Sequence, residues 1–300
     1  MRKILLSCLL ISLTFVSFAQ TNNFTRTEDV IYGRKFGTAL TLDVFQPEKP
    51  NGYGIIFVVS GGWVSAHAAI NLAMYQSFLD RGYTVFAVVH GSQPKFTIPE
   101  ISEDMHRAVR FVRTNAKKYG IKANKLGVTG GSAGGHLSLT LGTQGAKGQP
   151  DAKDPVDRRS SAVQAVACFF PPTDFLNYGK PGEDGVGFGV LKGFKAAFGP
   201  RADDIEERKK LGREISPIYF VTSNTPPTFI IHGDADKLVP IQQAETFLER
   251  ARAAGVKTKL VVKKGEAHGW KNWIADFALF TDWFDEHLRG IQPSAEKLTD

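Results

Sequence analysis

The chain has 300 residues, 42% of them hydrophobic and 22% charged, with a net charge of +7 and only 2 cysteines. That length gives one large domain or two small ones, with a core big enough to fold without staples. The balance excludes a disordered, collagen-like or coiled-coil chain, and the cysteine count excludes a disulfide scaffold and a cysteine-based zinc module.

In chain order, Arg2 and Lys3 precede a mostly apolar run, 4–16, that is too short to span a bilayer. Ser17-Phe18-Ala19 then fits a small-x-small cleavage site, so residues 1–19 read as a signal peptide and 20–300 as a single exported domain, periplasmic or secreted, with no stable membrane anchor. Leu5-Leu6-Ser7-Cys8 looks like a lipobox, but too few apolar residues precede Cys8 and the apolar run continues past it. Cleavage removes two cations and no acid, which lowers the net charge from +7 to +5 and leaves Cys168 alone, in an apolar stretch, as a buried small hydrophobe. No Lys/Arg cluster is interleaved with aromatics, so a nucleic-acid partner is not expected.

Short apolar runs at 55–59, 83–89, 125–129, 163–170, 227–231 and 257–262 read as strands covered on both faces. Between them, 69–80, 100–118, 134–143, 241–254 and 274–288 carry apolar residues at helical spacing. This alternation predicts a mostly parallel, doubly wound α/β sheet. Two stretches break it. Residues 142–160 are rich in Gly, Lys, Asp and Pro, and 177–213 hold eight glycines and a charged run. The second reads as a lid-like insertion over one edge of the site.

Gly130-Gly131-Ser132-Ala133-Gly134 matches G-x-S-x-G between a predicted strand and a predicted helix, the order that a nucleophile elbow requires. Such a turn strains the serine backbone, needs small neighbours, and aims the Ala133 N–H at a developing oxyanion. A serine hydroxyl needs a base. Of the seven histidines, His268 lies in a loop just after the strand run 257–262. His232 ends a strand and reads as a packed neighbour of the acid loop, His287 as solvated, and His136 as packed under the elbow; His67 and His106 have no supporting context. The acid should follow a strand between Ser132 and His268. Asp234 and Asp236 both qualify, and spacing does not separate them. No cluster has metal-ligand spacing, so neither a metal nor a cofactor is expected.

These residues together resemble the α/β-hydrolase superfamily, within it the exported esterases that include acetyl-xylan and feruloyl esterases and hormone-sensitive-lipase-like carboxylesterases. Four segments carry the resemblance in order: Gly130 to His136, Phe169-Phe170-Pro171-Pro172-Thr173-Asp174-Phe175, the His232-Gly233-x-x-Asp236-x-x-Val239-Pro240 box, and Gly265-x-x-His268-Gly269. It implies the α/β-hydrolase fold with a sheet of about eight strands. It also implies Asp236 as the acid, Asp174 as a supporting residue, and the N–H groups of Gly61 and Gly62 as oxyanion donors beside Ala133. One departure stands out: Val59-Ser60-Gly61-Gly62-Trp63 replaces the usual His-Gly-Gly-Gly-Trp. His90 departs from the Tyr-Arg pair common at its position and is a candidate pocket residue. Trp63 and Trp270, with Phe188 and Phe194, are candidates for an aromatic substrate platform.

The expected activity is serine-dependent cleavage of small-molecule or polysaccharide esters, through acetyl or feruloyl groups on carbohydrate. Two rivals are a serine peptidase of the prolyl-oligopeptidase kind and a non-catalytic binding protein on the same scaffold. Peptidases of that kind usually carry a β-propeller ahead of the catalytic domain, and the stretch before residue 55 is too short for one. The intact Ser, Asp and His argue against the binding protein.

Overall fold

The structure is a computed structural model and describes residues 23–292. The signal-peptide reading of residues 1–19 lies outside the described residues. No helix of the described residues is long and apolar enough to cross a membrane.

Eight strands form one sheet in the order β1-β2-β4-β3-β5-β6-β7-β8. They are β1 (Phe24–Lys35), β2 (Thr38–Pro47), β3 (Gly54–Val59), β4 (Thr84–Val89), β5 (Leu126–Gly131), β6 (Ala165–Phe169), β7 (Thr228–Gly233) and β8 (Thr258–Lys263). The first two pair antiparallel, β2 joins β4 antiparallel, and every later pair is parallel. The helices are α1 (Gln76–Asp80), α2 (Ile98–Thr114), α3 (Ala133–Thr143), α4 (Lys195–Phe198), α5 (Ile205–Ile215), α6 (Gln242–Ala253) and α7 (Phe277–Phe284). This is the α/β-hydrolase arrangement.

The central strands are buried on both sides, and their side chains alternate between two cores, as a period of two requires. Ile56, Val58, Val128, Val166, Cys168 and Ile230 face the core that α2, α3 and α6 cover. Ile55, Phe57, Val59, Ala167, Phe169 and Ile231 face the core that α1 and α7 cover. Phe280 of α7 lies at the centre of the second core, 4.3 Å from the Phe169 ring and 5.3 Å from the Phe229 ring. Strand order reverses between β3 and β5, and open α/β sheets bind their ligands in the crevice at such a point.

Three expectations are corrected. The hairpin β1–β2 was not foreseen, because an edge strand reading FTRTEDVIYGRK has mostly exposed, polar side chains and no apolar run. The helix expected over 69–80 is two 3₁₀ turns followed by the short α1. The insertion 177–213 contains α4 and most of α5, and it buries Val186, Leu191, Phe198 and Leu211 in the first core rather than lying loose over it.

Because Phe280 is fully buried among aromatic rings, Phe280→Ala should leave a cavity and cost about 3–5 kcal/mol. Thermal or urea unfolding of the variant checks this, and a cost under about 1 kcal/mol would show that the α7 core is not packed as described.

Candidate active site

Ser132 sits between β5 and α3 with φ 55° and ψ −121°. A non-glycine residue with positive φ is uncommon and costly, so the surroundings must hold it there. Its own N–H donates to the Phe169 carbonyl at 3.0 Å, and its carbonyl accepts from the His136 N–H at 2.9 Å. The flanking glycines leave room. A Cβ on Gly130 would lie 2.7 Å from the Gly134 backbone, one on Gly134 2.9 Å from the Val58 carbonyl, and one on Gly135 2.8 Å from the Phe169 carbonyl. Backbone cannot step aside, so the G-x-S-x-G spacing follows from packing.

The structure brings Ser132, His268 and Asp236 together. His268 Nε2 is 2.9 Å from Ser132 Oγ, and His268 Nδ1 is 2.6 Å from Asp236 Oδ2. With Nδ1–H donating to the carboxylate, Nε2 is left to accept from the serine hydroxyl. Asp236 is buried, and its Oδ1 accepts from the Leu238 and Val239 N–H groups, each at 2.9 Å. Burial alone would raise its pKa. The hydrogen bonds from the two imidazoles, His232 and His268, and from the Val239 N–H outweigh burial and hold it well below the usual carboxylate range. Asp234 is exposed instead; it accepts from the Gly265 N–H at 2.6 Å and so ties the acid loop to the histidine loop. Position in the chain could not separate the two acids, but the geometry does.

His232 is wholly buried beside the acid, with Nε2 2.8 Å from the Val239 carbonyl and 3.4 Å from Asp236 Oδ2. His136 lies under the elbow; its Nε2 is 2.7 Å from the Ile215 carbonyl, and its Nδ1 accepts from Trp63 Nε1 at 3.2 Å. Solvation was the wrong reading for His287, which packs edge-on against Trp283 at 4.0 Å.

A cavity of about 380 Å³ opens at Ser132 and His268. Its wall is largely apolar, with Phe57, Val59, Met74, Phe170 and Trp273 prominent in it, and Ser60 and Gly61 close one side. None of Trp63, His90, Trp270, Phe188 and Phe194 lines it, which corrects the expected substrate-binding set. Trp63 is 2% exposed and packs among His136, Phe175, Phe194 and Phe198. His90 is buried, with Nδ1 2.5 Å from the Gly91 carbonyl. Trp270 turns its indole N–H to Asp276 at 2.7 Å. Trp273, three residues on, is the tryptophan that reaches the cavity. No residue of 177–213 lines the cavity either.

The expected oxyanion donors also need correction. Gly62 and Trp63, both with positive φ (55° and 59°), make a tight turn closed by two Gly61–Val64 hydrogen bonds of 3.0 Å. The Gly61 N–H is therefore already spent on the Val64 carbonyl. Among the described residues, the N–H groups of Gly62 and Ala133 have no acceptor. Asp174 makes no hydrogen bond to Ser132, His268 or Asp236. It caps its own turn through the Leu176 N–H at 3.0 Å and accepts from the Tyr219 hydroxyl at 2.9 Å. A residue that sequence reasoning missed is Gln243, whose buried side chain accepts from the Thr173 and Asp174 N–H groups at 2.8 and 2.7 Å and so ties the loop after β6 to α6. A polar residue on the buried face of α6 was its one signal.

The sequence spacing offered no metal cluster. The fold brings Asp29, Asp43 and His67 together, but Asp43 there is already engaged by Arg26 at 2.5 Å.

Comparison with known proteins agrees with the fold. The BD-FAE family model matches residues 42–250. Esterase LipC of Mycobacterium tuberculosis is 31% identical over 75% of this chain and 54% of its own length. The chain thus spans about half the length of the curated relatives it matches. Among solved structures, a truncated carbohydrate esterase from gut microbiota is 26% identical, with a TM-score of 0.71 over 90% of this chain and 98% of that one. Esterase 2 of Thermogutta terrifontis is 24% identical, with a TM-score of 0.70 over 89% of this chain and 94% of that one, a likeness of fold.

Burial pushes His90, His106 and His136 down to about 4 each. Unfolded histidine titrates near 6.5, so below that pH the unfolded chain binds more protons than the folded one. Stability should therefore fall as pH drops from about 6.5 to about 4. Urea unfolding at stepped pH checks the slope, and His136→Gln should make it shallower; an unchanged slope would contradict a neutral, buried His136.

Proposed function

This chain belongs to the BD-FAE family of α/β-hydrolase esterases, and from that premise we propose that it hydrolyses carboxylic esters through an acyl-enzyme on Ser132. The observation that carries the reading is the unbroken hydrogen-bond line from Ser132 Oγ through His268 to Asp236, at 2.9 and 2.6 Å. His268 Nε2 takes the hydroxyl proton as Ser132 Oγ bonds to the ester carbonyl carbon. The resulting imidazolium is stabilised by the Asp236 carboxylate, which the surrounding donors keep ionised. The tetrahedral intermediate collapses, the C–O bond to the alcohol breaks, and His268 returns the proton to the leaving alkoxide. Water, deprotonated by the same nitrogen, then releases the acid and restores Ser132. Backbone N–H groups at Ala133, at the start of α3, and Gly62 are the proposed donors to the oxyanion.

The acyl group enters the apolar cavity. Its volume and its aromatic walls at Phe57, Phe170 and Trp273 suit a feruloyl group better than an acetyl group, which would leave most of it unfilled. Carbohydrate as the alcohol is supported by a structural neighbour described as a carbohydrate esterase. Export belongs to the same proposal and rests on the pattern of residues 1–19; a mature N-terminus at Gln20, read by mass spectrometry, would support it.

Hydrolysis of p-nitrophenyl acetate, butyrate and octanoate and of methyl ferulate, beside Ser132→Ala, tests the activity. Ser132→Ala should lower kcat by a factor on the order of 10⁶, and methyl ferulate should be turned over with a higher kcat/KM than a simple acetate of the same alcohol. Equal turnover in the variant would sink the ester-hydrolase reading.

A further inference from the structure

We infer that the Ser60 hydroxyl is a side-chain donor to the substrate's reacting oxygen, supplying the hydrogen bond that the Gly61 N–H does not. The inference rests on the ester-hydrolase reading above and adds a catalytic residue to it.

Three observations converge. Ser60 and Ser132 line the same cavity. The Ser60 Oγ is buried and has no hydrogen-bond partner among the described residues. A nearby acceptor is occupied, since the Val59 carbonyl takes a 2.5 Å bond from the Ser65 hydroxyl. Leaving a buried hydroxyl unpaired is unfavourable, and the oxyanion that develops on the substrate would supply the missing acceptor. Third, the one expected backbone donor that lines the cavity, Gly61, has its N–H committed to the Val64 carbonyl at 3.0 Å.

Position supports the role. A Cβ on Gly134 would lie 3.6 Å from the Ser60 Cβ, so the serine side chain lies beside the first turn of α3, next to Ala133. The hydroxyl turns about one rotatable bond and would act beside the backbone donors proposed above, and the helix start at Ala133 adds a favourable dipole for negative charge. The Ser60 proton stays on Ser60 throughout, because the interaction is a hydrogen bond and not a transfer. As oxyanion charge develops, that bond strengthens, so its effect falls on kcat rather than on binding.

The test compares Ser60→Ala, Ser60→Gly and Ser60→Thr with the parent and with Ser132→Ala, measuring kcat, KM and melting temperature. Ser60→Ala should lower kcat by about 10²–10³-fold with KM within a few-fold, the usual loss for one oxyanion donor. Its melting temperature should stay level or rise, because an unpaired buried hydroxyl has been removed. Ser60→Thr, which keeps the hydroxyl, should recover most of the rate. The inference is overturned if Ser60→Ala keeps kcat within about threefold while Ser132→Ala loses it, or if the rate falls only in step with melting temperature. Turnover that survives Ser132→Ala would overturn the ester-hydrolase reading itself, and the role of Ser60 with it.

Discussion

The backbone of Ser132 is the constraint on which the rest of the site depends. A serine at φ 55° costs about 1–3 kcal/mol locally, and the fold meets that cost from several directions. Parallel β5 delivers the chain at the sheet's carboxyl edge. Glycines at 130, 134 and 135 let strand, turn and helix meet at distances no side chain would allow. The Phe169 carbonyl, at the end of β6, fixes the Ser132 N–H. Any larger residue at those glycines would push α3 off the sheet and carry the hydroxyl away from His268.

The partners are held with similar redundancy, by segments far apart in sequence. The acid loop and the histidine loop run so close that a Cβ on Gly233 would collide with the Glu266 carbonyl at 2.2 Å. Asp236 is fixed by two backbone N–H groups and by two imidazoles. On the other side, Trp63 locks the tight turn at 61–64 onto His136, one turn into the helix that Ser132 begins. The insertion contributes Phe194 and Phe198 to that lock. It braces the site from behind, and the cavity is closed by other residues.

What could be read in the sequence had a local signal. The apolar runs marked the six parallel strands because five of them are buried on both faces and the edge strand β8 keeps an apolar run although none of its residues is buried, and G-x-S-x-G needs only five residues and a strand–helix context. Asp234 and Asp236 could not be separated by spacing, because which of two neighbouring carboxylates faces a histidine depends on how a loop folds back. The aromatic platform was misplaced for the same reason. Trp63 and Trp270 look the same in sequence whether they face solvent, substrate or core, and the partners that bury Trp63 come from residues 136, 175, 194 and 198. Gly61 kept its glycine but lost its expected role to a hydrogen bond three residues away, a contact that exists only once the turn has formed.

Covalent trapping tests the central claim most directly. Intact protein treated with a serine-directed fluorophosphonate, then digested and mapped by mass spectrometry, should carry one adduct, on Ser132, and Ser132→Ala should carry none. Labelling should slow sharply in His268→Gln, because without the base the hydroxyl is an ordinary alcohol. An adduct on another residue, or equal labelling of the Ser132→Ala protein, would contradict the account.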